Sequence, residues 1–201
     1  VSERPAVMLA IMEPPPGLEE EFNDWYDTEH LPQRQGLPGF LTANRWICTT
    51  GFPRSLAIYD LRALSVLDDP AYRAVAGAQS TPWSRRLLAR TARAGRIRVE
   101  AERITPGDSL SLPQDNVNCL LVARYPGAGP GFAPAATSRF ATLGRLAQCR
   151  LFAAPGGHEY WVLAEFAGPV GFDTLADAVG DIAGTAATFF NLYAPYRPSA
   201  G

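Results

Sequence analysis

Residues 6–32 read AVMLAIMEPPPGLEEEFNDWYDTEHLP, and the change of period inside this stretch decides the fold class. The apolar run over 6–12 predicts a strand. Glu13-Pro14-Pro15-Pro16-Gly17 ends it, because proline brings no N–H to a strand ladder. From Leu18 the spacing is helical: Leu18, Phe22, Trp25 and Glu29 fall on one stripe. Glu19, Glu20 and Glu21 stand where a helix N-terminus favours negative charge. The helix is expected to stop near Pro32, since the residue before a proline resists the α conformation.

Working outward, Gly36-Leu37-Pro38-Gly39 is a turn. Residues 40–50 and 55–61 read as strands joined by a hairpin at Gly51-Phe52-Pro53-Arg54. Residues 65–76 predict a second helix, with Ser65 as its cap, and Pro82-Trp83 falls in a following loop. Over 96–104, Ile97, Val99 and Ala101 alternate with Arg96, Arg98, Glu100 and Glu102, the mark of a half-exposed strand. The order is β-α-β-β-α-β, the ferredoxin-like split unit. Residues 105–115 are polar and rich in Pro, Gly and Ser, as in a linker. The pattern then returns: a strand over 118–125, a helix over 135–144, a hairpin of 146–153 and 159–166 around Pro155-Gly156-Gly157, a helix over 172–179 and a strand over 185–193. The expected fold class is α+β. Two tandem ferredoxin-like units, residues 1–107 and 108–201, bury their open sheet faces against each other as a pseudo-dimer. A further homodimer through edges or helices is open.

Composition narrows the function. The chain has 201 residues, 47% hydrophobic and 19% charged, with a net charge of −2. That balance supports a packed core and gives no argument for a nucleic acid or an anionic membrane surface. All 18 basic residues are Arg, which removes Schiff-base lysines and the P-loop lysine. Cys48, Cys119 and Cys149 are far apart, so a disulfide framework or a thiolate zinc site is not expected, and reduced thiols fit a cytoplasmic protein. No signal peptide and no membrane-length apolar run is visible. Gly127-Ala128-Gly129-Pro130-Gly131 lacks phosphate-loop spacing and reads as a flexible loop.

The segment Phe22-Asn23-Asp24-Trp25-Tyr26-Asp27-Thr28-Glu29-His30-Leu31-Pro32, followed by Pro38-Gly39-Phe40, resembles the signature of the EthD-like group of the dimeric α+β-barrel superfamily. Ala43-Asn44-Arg45-Trp46, Leu56-Ala57-Ile58-Tyr59-Asp60-Leu61, Pro70-Ala71-Tyr72-Arg73 and Thr81-Pro82-Trp83-Ser84-Arg85-Arg86 extend the likeness over most of the first half. The second half lacks the element. The resemblance implies a ferredoxin-like fold with a cleft between sheet and helices that takes a small hydrophobic or aromatic molecule. Superfamily members include cofactor-free monooxygenases, cyclases, dehydratases and isomerases, and others that hold haem. The reaction is left open.

Within the element, Tyr26 and His30 are four apart and share a helix face, with Asp27 close to the same side. His30 beside a carboxylate is a candidate general acid or base. Asp27 is the expected orienting partner and Tyr26 a donor to a substrate oxygen. The bland reading, a His capping a helix end, stands beside it. Glu29 could line the site or pair with Arg45. Trp25, Trp46, Tyr59 and Trp83 are candidate lining aromatics or ordinary core, and Pro82-Trp83 could act as a lid. Arg45 and Trp46 point to opposite sheet faces. His158, in a glycine-rich turn, reads as solvent-exposed. No metal site and no cofactor is expected, with haem through His30 left possible by the superfamily analogy. The function expected is a small-molecule-binding protein, either a cofactor-independent dehydratase, cyclase or isomerase-type enzyme using His30, or a non-catalytic accessory or stress-associated binder using the same cleft.

Overall fold

The computed structural model describes residues 3–198. Strands β1 (Ala6–Met12), β2 (Phe40–Cys48), β3 (Ser55–Leu61) and β4 (Arg96–Arg103) come from the first half. Strands β5 (Cys119–Pro126), β6 (Leu146–Ala153), β7 (Glu159–Phe166) and β10 (Phe189–Pro195) come from the second, with β8 (Asp181–Ile182) and β9 (Thr185–Ala186) forming a small separate hairpin. The eight long strands close into one barrel in the order β1-β3-β2-β10-β5-β7-β6-β4. Each half therefore contributes an antiparallel four-stranded sheet of the same internal order, and the seams are β2–β10 and β4–β6. Both sheets carry a register shift at matching places, between Phe40 and Thr42 in β2 and between Leu146 and Gln148 in β6.

Strand alternation separates three apolar layers. Val7, Leu9, Ile11, Leu56, Ile58, Trp161 and Leu163 point into the barrel. Met8, Met12, Ala57, Tyr59 and Leu61 point outward, under the first-half helices. Leu121, Ala123, Tyr125 and Val162 do the same under α5 (Phe132–Ala141) and α6 (Phe172–Val179). Because β1 is buried on both faces, its sequence is a near-continuous apolar run rather than an alternating one.

One end of the barrel is closed by a buried polar cluster. Arg150 Nη1 donates to Asp60 Oδ1 at 2.6 Å, and Thr42 and the Ser111 backbone N–H donate to Asp60 Oδ2. Glu165 lies 3.9 Å from the same guanidinium and accepts from the Leu112 N–H and from Gln148. Burial works to raise the Asp60 carboxyl, but Arg150, Thr42 and Ser111 outweigh it and hold it below its ordinary value. At Glu165 burial prevails and the carboxyl is raised. Residues 105–115 are thus no free linker: they run across the barrel end and supply two of its donors.

Several local expectations are corrected. The first helix does not stop at Pro32. It runs from α1 (Glu19–Trp25) through a π-helical turn (Tyr26–His30) into α2 (Leu31–Gln35). The Leu31 N–H reaches back to the Tyr26 carbonyl, and this widened turn seats a proline whose ring would otherwise meet the carbonyl four residues earlier. The helix expected over 65–76 is broken into a 3-10 turn at Leu64–Asp68, α3 at Pro70–Arg73 and a 3-10 turn at Gly77–Gln79. Asp69, not Ser65, provides a cap, accepting from the Ala71 N–H at 2.7 Å. Pro82-Trp83 is not a loop but opens α4 (Pro82–Ala94). Thr81 accepts from the Ser84 N–H, and Pro82 occupies the first turn, where its missing N–H has no helical partner to lose.

Candidate functional site

The π-turn fixes what the first helix presents to the sheet. Tyr26 and His30 are both buried, and their rings meet edge-to-face with centroids 5.3 Å apart. Trp25 lies against His30 at 4.3 Å. The extra backbone width shifts the helical phase, so the neighbours of the two carboxylates differ from those the spacing suggested. Asp27 does not reach His30. It accepts from Arg45 Nη1 at 2.6 Å and from the Tyr196 hydroxyl at 2.9 Å. Glu29 does not pair with Arg45. It accepts from Thr81 at 2.5 Å and Ser84 at 3.1 Å, at the N-terminus of α4, where a negative charge is favoured. Ser84 also accepts from Trp25 Nε1 at 3.0 Å.

Arg45 is almost fully buried and lies between two rings, 4.5 Å from Tyr26 and 3.8 Å from Tyr196. Its second nitrogen donates to Asn23 at 2.7 Å. The Asp27–Arg45–Tyr196 set ties the chain beyond β10 to the π-turn and to β2, so its geometry is that of a latch. Trp46 faces the barrel interior, on the side of β2 opposite Arg45. Trp83 donates to Glu21 at 3.2 Å from the first turn of α4. His158 is exposed. Of the residues singled out in the sequence, the structure packs Trp25 and Tyr26 against His30 and sets only His30 and Tyr59 on the wall of one cavity. Tyr26, the expected donor to a substrate, does not line it, and neither do Trp25, Asp27, Glu29, Arg45, Trp46 and Trp83.

His30 and Tyr59 line a cavity of about 50 Å³ between the outer sheet face and the helices, together with Arg34, Tyr72, Arg96 and Arg98. Burial first, and then the charges of Arg34 and Arg96, push the His30 pKa down to about 3. The imidazole is therefore neutral near pH 7, and its buried Nδ1 has no hydrogen-bond partner among the described residues. Neither Asp27 nor a backbone group satisfies this nitrogen. Burial raises Tyr26 to about 12, against the opposing charge of Arg45, and raises Tyr59 well above its ordinary value. The two phenols influence each other, yet neither hydroxyl finds a partner in bonding geometry. Buried polar atoms without partners are rare in folded proteins. Four of them, Tyr26 Oη, His30 Nδ1, Arg34 Nη1 and Tyr59 Oη, belong to one face of this half.

Arg34, Tyr72, Arg96 and Arg98 were not among the sequence-level candidates. Arg34 continues the stripe Tyr26–His30–Arg34 and becomes legible once the helix is carried past Pro32. Arg96 and Arg98 lie on the polar side of the alternating strand β4, which read as solvent-facing. Among the described residues no group of three or more His, Cys, Asp or Glu side chains could hold a metal ion. No helix is long and apolar enough to cross a membrane.

The barrel closed from two ferredoxin-like sheets is the dimeric α+β-barrel fold, completed here within one chain. No family model and no curated protein sequence matches the chain. Among solved structures it is similar to an anthrone oxidase-like protein, with TM-score 0.63 and 10% identity over 98% of this chain and 92% of that one. It is similar to a candidate monooxygenase from Fusobacterium nucleatum, with TM-score 0.57 and 9% identity over 95% of each chain. It is also similar to a haem-binding protein from Thermus thermophilus, with TM-score 0.58 and 14% identity over 97% of this chain and 92% of that one. These neighbours share the fold that the resemblance of the first half to the EthD-like group implies. The expectation that no cofactor is involved is overturned: a haem-binding protein has this fold at nearly full length.

Proposed function

We propose that this protein binds a small molecule at the His30 cavity and that His30 serves there as a proton-transferring group. The observation that carries the reading is the buried, unpartnered Nδ1 of a neutral imidazole on a cavity wall. A neutral His has a lone pair for a substrate proton and an N–H for return. The Tyr59 hydroxyl, also unpartnered, is placed to donate to a substrate oxygen. Proton-transfer chemistry on a hydrophobic carbonyl or aromatic compound, as in dehydration, cyclisation or isomerisation, matches these groups better than nucleophilic hydrolysis. The same proposal takes residues 1–107 and 108–201 as two units of one duplicated plan, which the matching register shifts of β2 and β6 support.

The residues facing the cavity suit haem in one respect only. A neutral His with a free nitrogen is a reasonable axial ligand. The volume is not: about 50 Å³ admits a group of a few heavy atoms and not a porphyrin macrocycle. No step is therefore routed through haem. A second reading, binding without turnover, is favoured by the same pKa of about 3, which makes the ligand-free imidazole a weak proton acceptor.

The test is a thermal-shift screen of the protein and its His30→Ala variant against small aromatic and carbonyl compounds, with haemin included. A compound that raises the melting temperature of the parent by several degrees and has no effect on the variant is the expected result. Stabilisation that survives unchanged in His30→Ala would move the binding site elsewhere and overturn the reading.

A further inference from the structure

We propose that the His30 cavity is a carboxylate site, in which Arg34 receives the anionic headgroup of a small organic acid. This rests on the reading above that the ligand enters this cavity, and adds its chemical class. Arg34 is only 5% exposed. Its Nη2 donates to the Val75 carbonyl at 3.1 Å, and its guanidinium lies over the Tyr72 ring at 5.2 Å. Its Nη1 is buried with no partner, and among the described residues no carboxylate pairs with it. An arginine is seldom buried unless its charge is met, and one without a counter-charge has lost its hydration with nothing in return.

The surroundings have the sign to match. Arg34, Arg96 and Arg98 all line the cavity, and among the described residues no Asp or Glu does. Arg98 has its charge met by Glu100 at 2.6 Å. Arg96 and Arg98 are exposed where the cavity meets solvent, so an approaching anion meets positive charge before it meets Arg34. Size points the same way. A cavity of about 50 Å³ takes a group of a few heavy atoms, such as a carboxylate, and leaves the body of the ligand toward the arginine-lined opening. The Arg34 Nη1 and the Tyr59 hydroxyl supply two donors for two carboxylate oxygens. His30 then stays free for the proton work assigned to it.

The experiment is a calorimetric titration with benzoate, benzamide and inorganic phosphate. It uses the parent protein, Arg34→Gln, Arg34→Lys and His30→Ala, each first checked for an intact melting transition. The expected result is that benzoate binds the parent and benzamide does not. Arg34→Gln should lose about tenfold or more in affinity, the scale of a lost charge-assisted hydrogen bond, and Arg34→Lys should recover part of it. Benzamide binding as tightly as benzoate, with both lost in His30→Ala, would overturn the carboxylate assignment while leaving the His30 pocket in place. Phosphate binding with the same Arg34 dependence and benzoate not binding would make this an inorganic oxyanion site, which also overturns it. So would the absence of binding by any of the three.

Discussion

The outer faces of the two halves differ at three buried positions that share one spacing. Under the first-half sheet face stand Tyr26, His30 and Arg34; under the second stand Phe132, Ala136 and Phe140. Each trio is a helical stripe of four-residue steps, and each helix packs on the outer face of an equivalent four-stranded sheet. The second-half stripe joins a continuous apolar cluster in which no side chain is left without a partner among the described residues. The first-half stripe leaves three buried polar atoms unpaired, with Tyr59 adding a fourth. Each such atom costs about 1–3 kcal/mol relative to a satisfied or apolar replacement. The fold does not require the polar stripe, since the other half does without it. Two of its three members, His30 and Arg34, line the cavity, and the proposed ligand would give their polarity a use.

The largest expected effect tests whether that polar stripe is held at a cost. The His30 pKa in the folded protein, about 3, lies below the 6.5 of a free imidazole. Above pH 6.5 both states carry a neutral ring. Below it the unfolded chain takes up a proton that the folded chain excludes, so stability is lost as pH falls from 6.5 through 3. The full difference is up to about 5 kcal/mol. Urea unfolding of the parent and His30→Phe at a series of pH values should show the variant with the flatter profile; parallel profiles would place the folded pKa near 6.5. The chain has only one other histidine, His158, so a nuclear magnetic resonance titration reads His30 directly. The next effect belongs to the apolar stripe. Phe140→Ala should destabilise the protein by about 3–5 kcal/mol, the usual result of emptying a tightly packed aromatic position. A loss below about 1 kcal/mol would mean that the second-half face is not tightly packed.

The course of the chain was largely legible, and the site only partly. Strands β1, β3, β6 and β7 fall where short apolar runs and flanking turns put them, because a strand covered on both faces reads as an apolar run bounded by turn residues. The pairing that closes β2 on β10 and β4 on β6 leaves none, since it depends on how the two sheets meet. Around His30 the residue types were readable but the partners were not. A single π-turn, invisible to a 3.6-residue period, moves Asp27 toward Arg45 and Tyr196 and Glu29 toward Thr81 and Ser84. The stop assigned to Pro32 concealed Arg34, the buried charge on the cavity wall. Thr81-Pro82 was a helix start with its cap and first-turn proline in view, and the tryptophan beside it drew attention to a lid instead.

The smallest effect sharpens the comparison most, because it tests one atom. Tyr59 lies on β3, and its counterpart in the paired register of β7 is Ala164, buried in the second-half cluster. The Tyr59 ring packs edge-on against Phe40 at 5.8 Å, so the ring has a structural reason to be there. The hydroxyl has none: it is buried and without a partner. Tyr59→Phe keeps the ring and removes only the oxygen. If the hydroxyl serves a ligand, the substitution should leave the ligand-free protein unchanged or more stable by about 1 kcal/mol, since an unpaired buried polar group is removed. It should also weaken whatever ligand the His30 cavity takes. Denaturation and ligand titration of the same variant separate the two. A loss of more than about 1 kcal/mol in the ligand-free protein would mean that the hydroxyl has a structural partner, and the contrast between the two halves would then rest on His30 and Arg34 alone.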